Sequence, residues 1–446
     1  MDKETIKRIV QLKNGEIPTG YKKTEFGIFP CDWETDKTFG DLFDFYGGLG
    51  ITREELGEEG HAYLHYGDLH RGAFNVVSHQ QYERLPKCDV HLKGNESYLM
   101  QDGDVAFLDA SEDLEGTSRS VLIDNPENKP FIAGLHIIYG KPKDQSLDKW
   151  FKQYITSTDC VKKQFHHLAV GFKVYGLNRE TLPKIRLAFP KSLSEQAKIA
   201  EILMTWDKAI ELYKKQIEKL KQFKKICLKK MFPAKGQTVP EWRFKGFAGE
   251  WEKRKLGELG TTFTGLSGKT KDDFGHGDAH FVTYMNVFLN PISVTDQIES
   301  IEIDSRQNPV QYGDVFFTAS SETPEEVGMT SVWLERIENT YLNSFCFGFR
   351  PCVVFDPYYL AYMFRSNSVR QQIVIGAQGI SRFNISKSRT MQITISVPEM
   401  QEQKRLGKLF KNLDDLITLY QRKLETEQQR KKSLMKLLLT GIVRVR

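Results

Sequence analysis

Apolar residues recur at Trp206, Ile210, Tyr213, Ile217 and Leu220, then at Cys227 and Met231, a 4-3-4-3 spacing interrupted by Lys224. A step of about 3.5 residues is the coiled-coil period and predicts one long helix with a single apolar seam. The pattern returns at Leu413, Ile417, Tyr420 and Leu424, then Leu434 and Leu438, with Glu427 and Lys431 between. Laid over each other without a gap at an offset of 207, the copies match Asp207 to Asp414, Ile210 to Ile417, Tyr213 to Tyr420 and Lys224 to Lys431. Neither body holds a proline, and only Gly407 stands near the start of the second, so both can be long helices. From Ile199 to Met231 such a helix is roughly 48 Å long at ~1.5 Å per residue. Trp206, Ile210, Tyr213, Ile217, Leu413, Ile417, Tyr420 and Leu424 are the candidate pairing and partner-binding positions.

The repeat extends beyond the helices. Trp33-Glu34 corresponds to Trp251-Glu252, Phe39-Gly40-Asp41-Leu42 to Leu256-Gly257-Glu258-Leu259, and Gly103-Asp104-Val105-Ala106-Phe107 to Gly313-Asp314-Val315-Phe316-Phe317. Residues 171–178 match 379–384, and Pro190 and Pro398 close each globular part before its helix. Short apolar runs at 105–108, 135–139, 345–349 and 392–397 predict strands, and 148–163 and 357–375 predict helices, the latter opened by Asp356-Pro357. The expected fold is α+β: two homologous mixed α+β domains separated by two long antiparallel coiled-coil helices with a pseudo-two-fold axis. The expected boundaries are 1–190, 191–235 for the central helix, 236–398, and 399–446 for the C-terminal helix.

A length of 446 residues fits two domains plus these helices. No apolar run approaches the ~18 residues of a membrane span, and MDKETIKRIV lacks a signal-peptide core, so a cytoplasmic protein with no membrane association is expected. Six scattered cysteines without a C-x-x-C pair predict free thiols. Net charge is +5, but residues 194–232 hold 10 basic and 5 acidic side chains and residues 399–446 hold 12 and 6. The helices therefore carry +11 and the rest of the chain −6, divided −4 before the first helix and −2 between the two.

Catalytic motifs fail one by one. His61 and His65 are four apart without the glutamate of H-E-x-x-H. Gly48-Leu49-Gly50-Ile51-Thr52-Arg53 breaks G-x-G-x-x-G at its last position, and Gly265-Leu266-Ser267-Gly268 is one residue short of G-x-S-x-G. Asp356-Pro357-Tyr358-Tyr359 has one proline where the loop of amino-methylating DNA enzymes has two, and reads as a helix cap. The acidic stretch 109–115 lacks a following E-x-K. No metal site is expected.

What remains is the polar content of matching loops. Gly47 to Arg53 stands where Thr264 to Thr270 stands in the other half, and Asp109-Ala110-Ser111 matches Ala319-Ser320-Ser321. Small residues with Thr, Ser, Arg and Lys can approach a phosphate backbone and reach base edges. The DNA-binding candidates are Thr52, Arg53, Ser111, Arg119, Lys173, Ser267, Lys269, Thr270, Ser320, Ser321 and Arg382.

Taken together, the chain resembles the specificity subunit of a type I restriction-modification system. The resemblance rests on Phe26-Gly27 to Trp33 and Phe247 to Trp251, and on Gly67-Asp68-Leu69 and Tyr284-Met285-Asn286-Val287. The Gly-Asp-Val strands, Leu177-Asn178 and Phe383-Asn384, and the helix openings Glu195-Gln196-Ala197-Lys198-Ile199 and Glu402-Gln403-Lys404-Arg405-Leu406 complete it. It implies that each globular part is a target recognition domain reading half of a bipartite, asymmetric site in double-stranded DNA, with the helices setting the gap; ~48 Å corresponds to roughly 14 base pairs. It also implies methyltransferase subunits using S-adenosylmethionine to methylate adenine, and a restriction/translocase subunit using ATP and Mg2+, with no cofactor in this chain. Two alternatives stand beside it: a stand-alone nuclease with a divergent acidic site near Asp104 and Asp109, and a coiled-coil scaffold without a DNA role.

Overall fold

The computed structural model describes residues 3–70, 76–78, 82–91, 93–111, 120–168, 175–176 and 178–445. The chain forms two compact units, Met1–Glu211 with Glu425–Arg446, and Leu212–Leu424. Each takes its globular part, one portion of the helix Leu193–Lys230 and one portion of the helix Met400–Leu439. These helices have 38 and 40 residues. No helix among the described residues is long and apolar enough to cross a membrane.

In the first unit, Val105–Leu108 is buried at every residue, the pattern of a central strand. It pairs antiparallel with Ile137–Pro142 and Ser120–Ile123; Phe43–Gly47 joins the outer side of the former and Val76–Val77 lies parallel to the latter. A second sheet runs Phe131–Ala133, His61–Leu64, Lys87–Cys88, Leu56–Gly57. Phe39, Phe43, Phe107 and Phe165 form the core with Ile199, Leu203, Leu438 and Leu439 from the long helices.

The second unit repeats the scheme with Gly260–Thr264, Cys346–Pro351, Val315–Thr318 and Thr330–Val332, and a three-stranded sheet of Ile298–Ile301, Phe274–Val282 and Thr340–Leu342. Phe317 and Phe347 stack at 5.2 Å, and Cys227, Phe410 and Leu413 from the helices, with Phe232 just past the end of the first, close the core. The helix Met400–Leu439 carries Gly407 because a Cβ there would lie 2.5 Å from Asp356 Oδ1 and 2.7 Å from Tyr359 N, so only glycine lets it approach the start of the helix Pro357–Met363.

In both units the globular part is fastened to the helices by the same devices. The buried Gln196 side chain donates to the Ser146 and Pro190 carbonyls and accepts from Asp148 N. Gln403 donates to Pro398 O and accepts from Asp356 N. Tyr154 donates to Asp207 Oδ2 at 2.7 Å while Lys431 reaches Asp207 Oδ1 at 2.5 Å. Tyr362 donates to Asp414 Oδ2 at 2.8 Å while Lys224 reaches Asp414 Oδ1 at 2.5 Å. Lys224 and Lys431, which break the apolar seam, are thus its cross-links. Within the second unit Tyr213 and Tyr420 meet at 6.0 Å, and Ile217, Leu413 and Ile417 are buried, with Leu424 half-buried. In the first, Ile210 is buried and Trp206 half-buried. The order of contacts in each unit is antiparallel.

Two predicted helices differ. Residues 357–375 form Pro357–Met363 and Asn367–Gly376, because Ser366 is extended at the N-cap position of the second and Arg365 is drawn to the carbonyls of Thr330 and Val287. Residues 148–163 divide into a 3-10 turn, Phe151–Ser157, and the helix Asp159–Leu168; extended Thr158 accepts from Val161 N at the junction. The predicted strand at 135–139 begins only at Ile137, since His136 has a positive φ of 66°.

Candidate nucleic-acid interface

The ladders fix which residues of the two units correspond. Asp109 N donates to His136 O as Ala319 N donates to Phe345 O, so 109 and 136 match 319 and 345. Ala110 and Ser111 pair with Gly176 and Tyr175 as Ser320 and Ser321 pair with Asn384 and Phe383. Gly176, not Asn178, therefore stands opposite Asn384, a two-residue correction to the matching of 171–178 with 379–384. Leu49 N donates to Ala133 O and Leu266 N to Leu342 O, placing Gly48 opposite Gly265. Both must be glycine, since a Cβ would lie 1.7 Å from Gly134 O and 2.1 Å from Asn343 O, respectively. Beyond this point the second unit has one extra residue. Thr52 caps onto Glu55 and Thr270 onto Asp273, so Thr52 corresponds to Thr270 and the gapless matching of these loops slips by one.

In the second unit these elements enclose an open cleft of about 570 Å³ lined by Tyr284, Phe288, Ser320, Ser321, Phe345 and Arg382, among others. Tyr284 and Phe288, one helical turn apart on Tyr284–Leu289, stack at 6.0 Å, and Tyr284 Oη donates to Ser320 O at 2.8 Å. Phe345 stands 64 % exposed at the rim, a position with no folding reason to be aromatic. The Arg382 guanidinium is exposed and forms no hydrogen bond or ion pair among the described residues, and the Ser320 hydroxyl is buried without a partner. Donors, an acceptor-rich rim and apolar faces thus converge in one concavity.

The floor of the cleft is held from behind. Arg365 donates to the carbonyls of Val287, Phe288 and Thr330, and Arg370 to those of Val327 and Gly328. Burial pushes both guanidinium groups down to about 10. They fix the helix carrying Tyr284 and the loop carrying Glu326.

The first unit keeps the aromatic and changes the chemistry around it. Tyr66, opposite Tyr284, lies edge-on to His136 at 6.1 Å, and His136 Nδ1 meets Asp109 Oδ1 at 3.1 Å. Burial pushes the Asp109 carboxyl up, opposed by His136. Asp104 and Asp109 sit at opposite ends of one strand, on the order of 15 Å apart at ~3.3 Å per residue, and so do not form one acidic site. Asp104 instead accepts from Gln101 N in the turn that Asp314 makes with Gln311.

Of the sequence candidates, Ser320, Ser321 and Arg382 are brought together in the cleft. The Ser321 hydroxyl is turned to Thr323, donating to its carbonyl. Ser267, Lys269 and Thr270 are not among its lining residues. Ser267 is tied to Gln307 through its backbone. Lys269, 10 % exposed, is ion-paired with Asp304 at 3.0 Å. Arg306 first, then Lys269, hold the Asp304 carboxyl well below the usual carboxylate range. Thr52 and Thr270 spend their hydroxyls on Glu55 and Asp273, and Arg53 is exposed. Ser111 lies on a strand whose backbone pairs with Tyr175. Arg119 and Lys173 lie outside the described residues. Tyr66, His136, Tyr284, Phe288 and Phe345 were missed; an aromatic immediately before each of Gly67-Asp68-Leu69 and Met285-Asn286-Val287 was the available signal.

Two copies of one mixed α+β module, each closed by portions of two long paired helices, make this a duplicated two-module protein. The type I restriction modification DNA specificity domain matches the chain twice, over residues 30–222 and 248–427, and the chain belongs to that family. Its role is DNA recognition in a type I restriction-modification system. It is 25 % identical to the putative type I restriction enzyme MjaX specificity subunit of Methanocaldococcus jannaschii, over 96 % of this chain and 97 % of that one. It is 24 % identical to the MjaVIII specificity subunit of the same organism, over 94 % of each. The fold is shared with the S subunit from M. genitalium, at TM-score 0.53 and 16 % identity over 91 % of this chain and 96 % of that one. It is shared also with a chain from a type I restriction-modification assembly, at TM-score 0.57 and 14 % identity over 93 % and 99 %.

Proposed function

We propose that each unit reads one half of a bipartite, asymmetric site in double-stranded DNA, that the helices set the gap, and that the chain directs adenine methylation and restriction without catalysing either. The observation that carries this is the matched pair of sites: one backbone framework, Tyr66 and Tyr284 in common, and different side chains at 109 and 136 against 319 and 345. A duplicated reader of one sequence would have kept those side chains alike. Methyltransferase subunits bring S-adenosylmethionine, and a restriction/translocase subunit brings ATP and Mg2+. The globular parts are net acidic, so phosphate affinity comes from basic residues on one face together with the partner subunits.

Purified chain incubated with DNA and Mg2+ is expected to leave the DNA intact, and methyl transfer by the methyltransferase subunits is expected only when the chain is added. Cleavage by the chain alone would establish the nuclease alternative instead.

A further inference from the structure

The matched sites differ in chemistry in a way that base edges can read. In the first unit an ionised Asp109 only accepts hydrogen bonds, so the contact of its Oδ1 with His136 Nδ1 assigns the Nδ1 proton to the imidazole, and in the neutral ring Nε2 is then an acceptor. Asp109 Oδ2 and His136 Nε2 take no part in that contact, and the side chains are 34 % and 52 % exposed. His136 is presented from a left-handed backbone conformation, one of three such non-glycine residues in the chain's described part. In the second unit the same two positions are Ala319 and the exposed Phe345, with no hydrogen-bonding side-chain atom between them.

Resting on the reading that each unit contacts one half-site, we propose that positions 109 and 136 and positions 319 and 345 are base-discriminating contacts of opposite kind. Asp109 and His136 accept from an exocyclic amino group in the major groove, cytosine N4 or adenine N6, and disfavour the keto edge of guanine or thymine. Ala319 and Phe345 form an apolar surface that selects the methyl group of thymine. Tyr66 and Tyr284 support both surfaces from the same place in the fold.

The test uses the full chain assembled with its methyltransferase subunits, with methylated positions mapped on DNA carrying randomised half-sites. Asp109→Asn keeps the shape, and His136→Asn keeps a residue type that tolerates the left-handed backbone. Each is expected to reduce selection of amino over keto bases about tenfold or more at one position of one half-site, leaving the other half-site unchanged. The paired change Ala319→Asp with Phe345→His is expected to remove thymine selection in the other half-site only. The wild-type motif then tells whether the position under Asp109 and His136 is cytosine or adenine. Unchanged base frequencies in all variants would overturn the proposal, as would changes appearing in both halves at once, or loss of all methylation with the complex still assembled. A single contiguous motif for the wild-type chain would instead overturn the reading on which the proposal rests.

Discussion

Asp414 is the point where the second unit's globular part and both helix portions meet, and replacing it tests whether the two seam lysines are cross-links or bystanders. Lys224 is 18 % exposed and Asp414 29 % exposed, so the pair is only partly screened by water. Burial pushes the Lys224 ammonium down, and Asp414 opposes that shift, so the carboxylate is what keeps the cation charged there. Asp414→Asn keeps an acceptor for the Tyr362 hydroxyl but leaves Lys224 without a counter-charge; a cost of about 2–3 kcal/mol is expected. Lys224→Met leaves Asp414 bonded to Tyr362 and more exposed, and is expected to cost about 1 kcal/mol. The double variant orphans no charge and is expected to be more stable than Asp414→Asn alone, a coupling of roughly 1–2 kcal/mol. Because two units need not unfold together, the assay is peptide-resolved amide hydrogen exchange across 213–231 and 405–424 rather than one global melt. Additive effects within about 0.3 kcal/mol would show that the contact at 2.5 Å carries no coupling and refute the reasoning.

Other outcomes follow from differences between the two halves. Burial lifts the Asp104 carboxyl to about 7, whereas its counterpart Asp314 is clasped by both Arg350 Nε and Nη2. A carboxyl raised in the folded state contributes stability that is full below its unfolded value of about 4 and is lost as pH rises through about 7. Lys141→Arg, which places in the first unit the residue the second unit uses, is therefore expected to stabilise by about 1–2 kcal/mol at pH 8 and not at pH 4 in urea titrations. Equal gains at both pH values would refute the electrostatic cause. Trp251 Nε1 donates to Glu402 at 3.1 Å while Trp33 Nε1 is buried without a partner among the described residues. Trp251→Phe is thus expected to cost about 1–2 kcal/mol more than Trp33→Phe by hydrogen exchange of the surrounding segments. The chain without its partners is expected to bind DNA weakly, with a Kd in the micromolar range or above at physiological salt; tight sequence-specific binding would contradict the charge argument.

The helices were legible because their repeat is written in one local period and survives without a gap, down to Asp207 with Asp414 and Lys224 with Lys431. What the seam lysines bond to was not, since Asp414 lies 190 residues from Lys224 and Asp207 lies 224 residues from Lys431. The matching loops of the two halves were legible, but their alignment slipped by one at Thr52 and by two at Gly176, because register there is set by strand pairing and one extra residue rather than by residue type. Ser320, Ser321 and Arg382 were found as polar loop residues. The aromatic half of the cleft was not, because Tyr284, Phe288 and Phe345 read as ordinary apolar positions until the sheet brings them beside Ser320. Lys269, a loop cation among the DNA-binding candidates, is ion-paired with Asp304, a partner 35 residues further on that no local pattern announces.

On the proposed function, two unlike readers in one chain specify two unlike half-sites at a distance set by the helices. Mapping methylated adenines genome-wide in cells with and without the chain tests it directly. The expected result is a motif present only with the chain, made of two different half-sites separated by unspecified bases, with the halves about one helical turn or slightly more apart, from a helix of ~1.5 Å per residue against ~3.4 Å per base pair. A single uninterrupted motif, two identical halves, or a methylation pattern unaffected by the chain would contradict it.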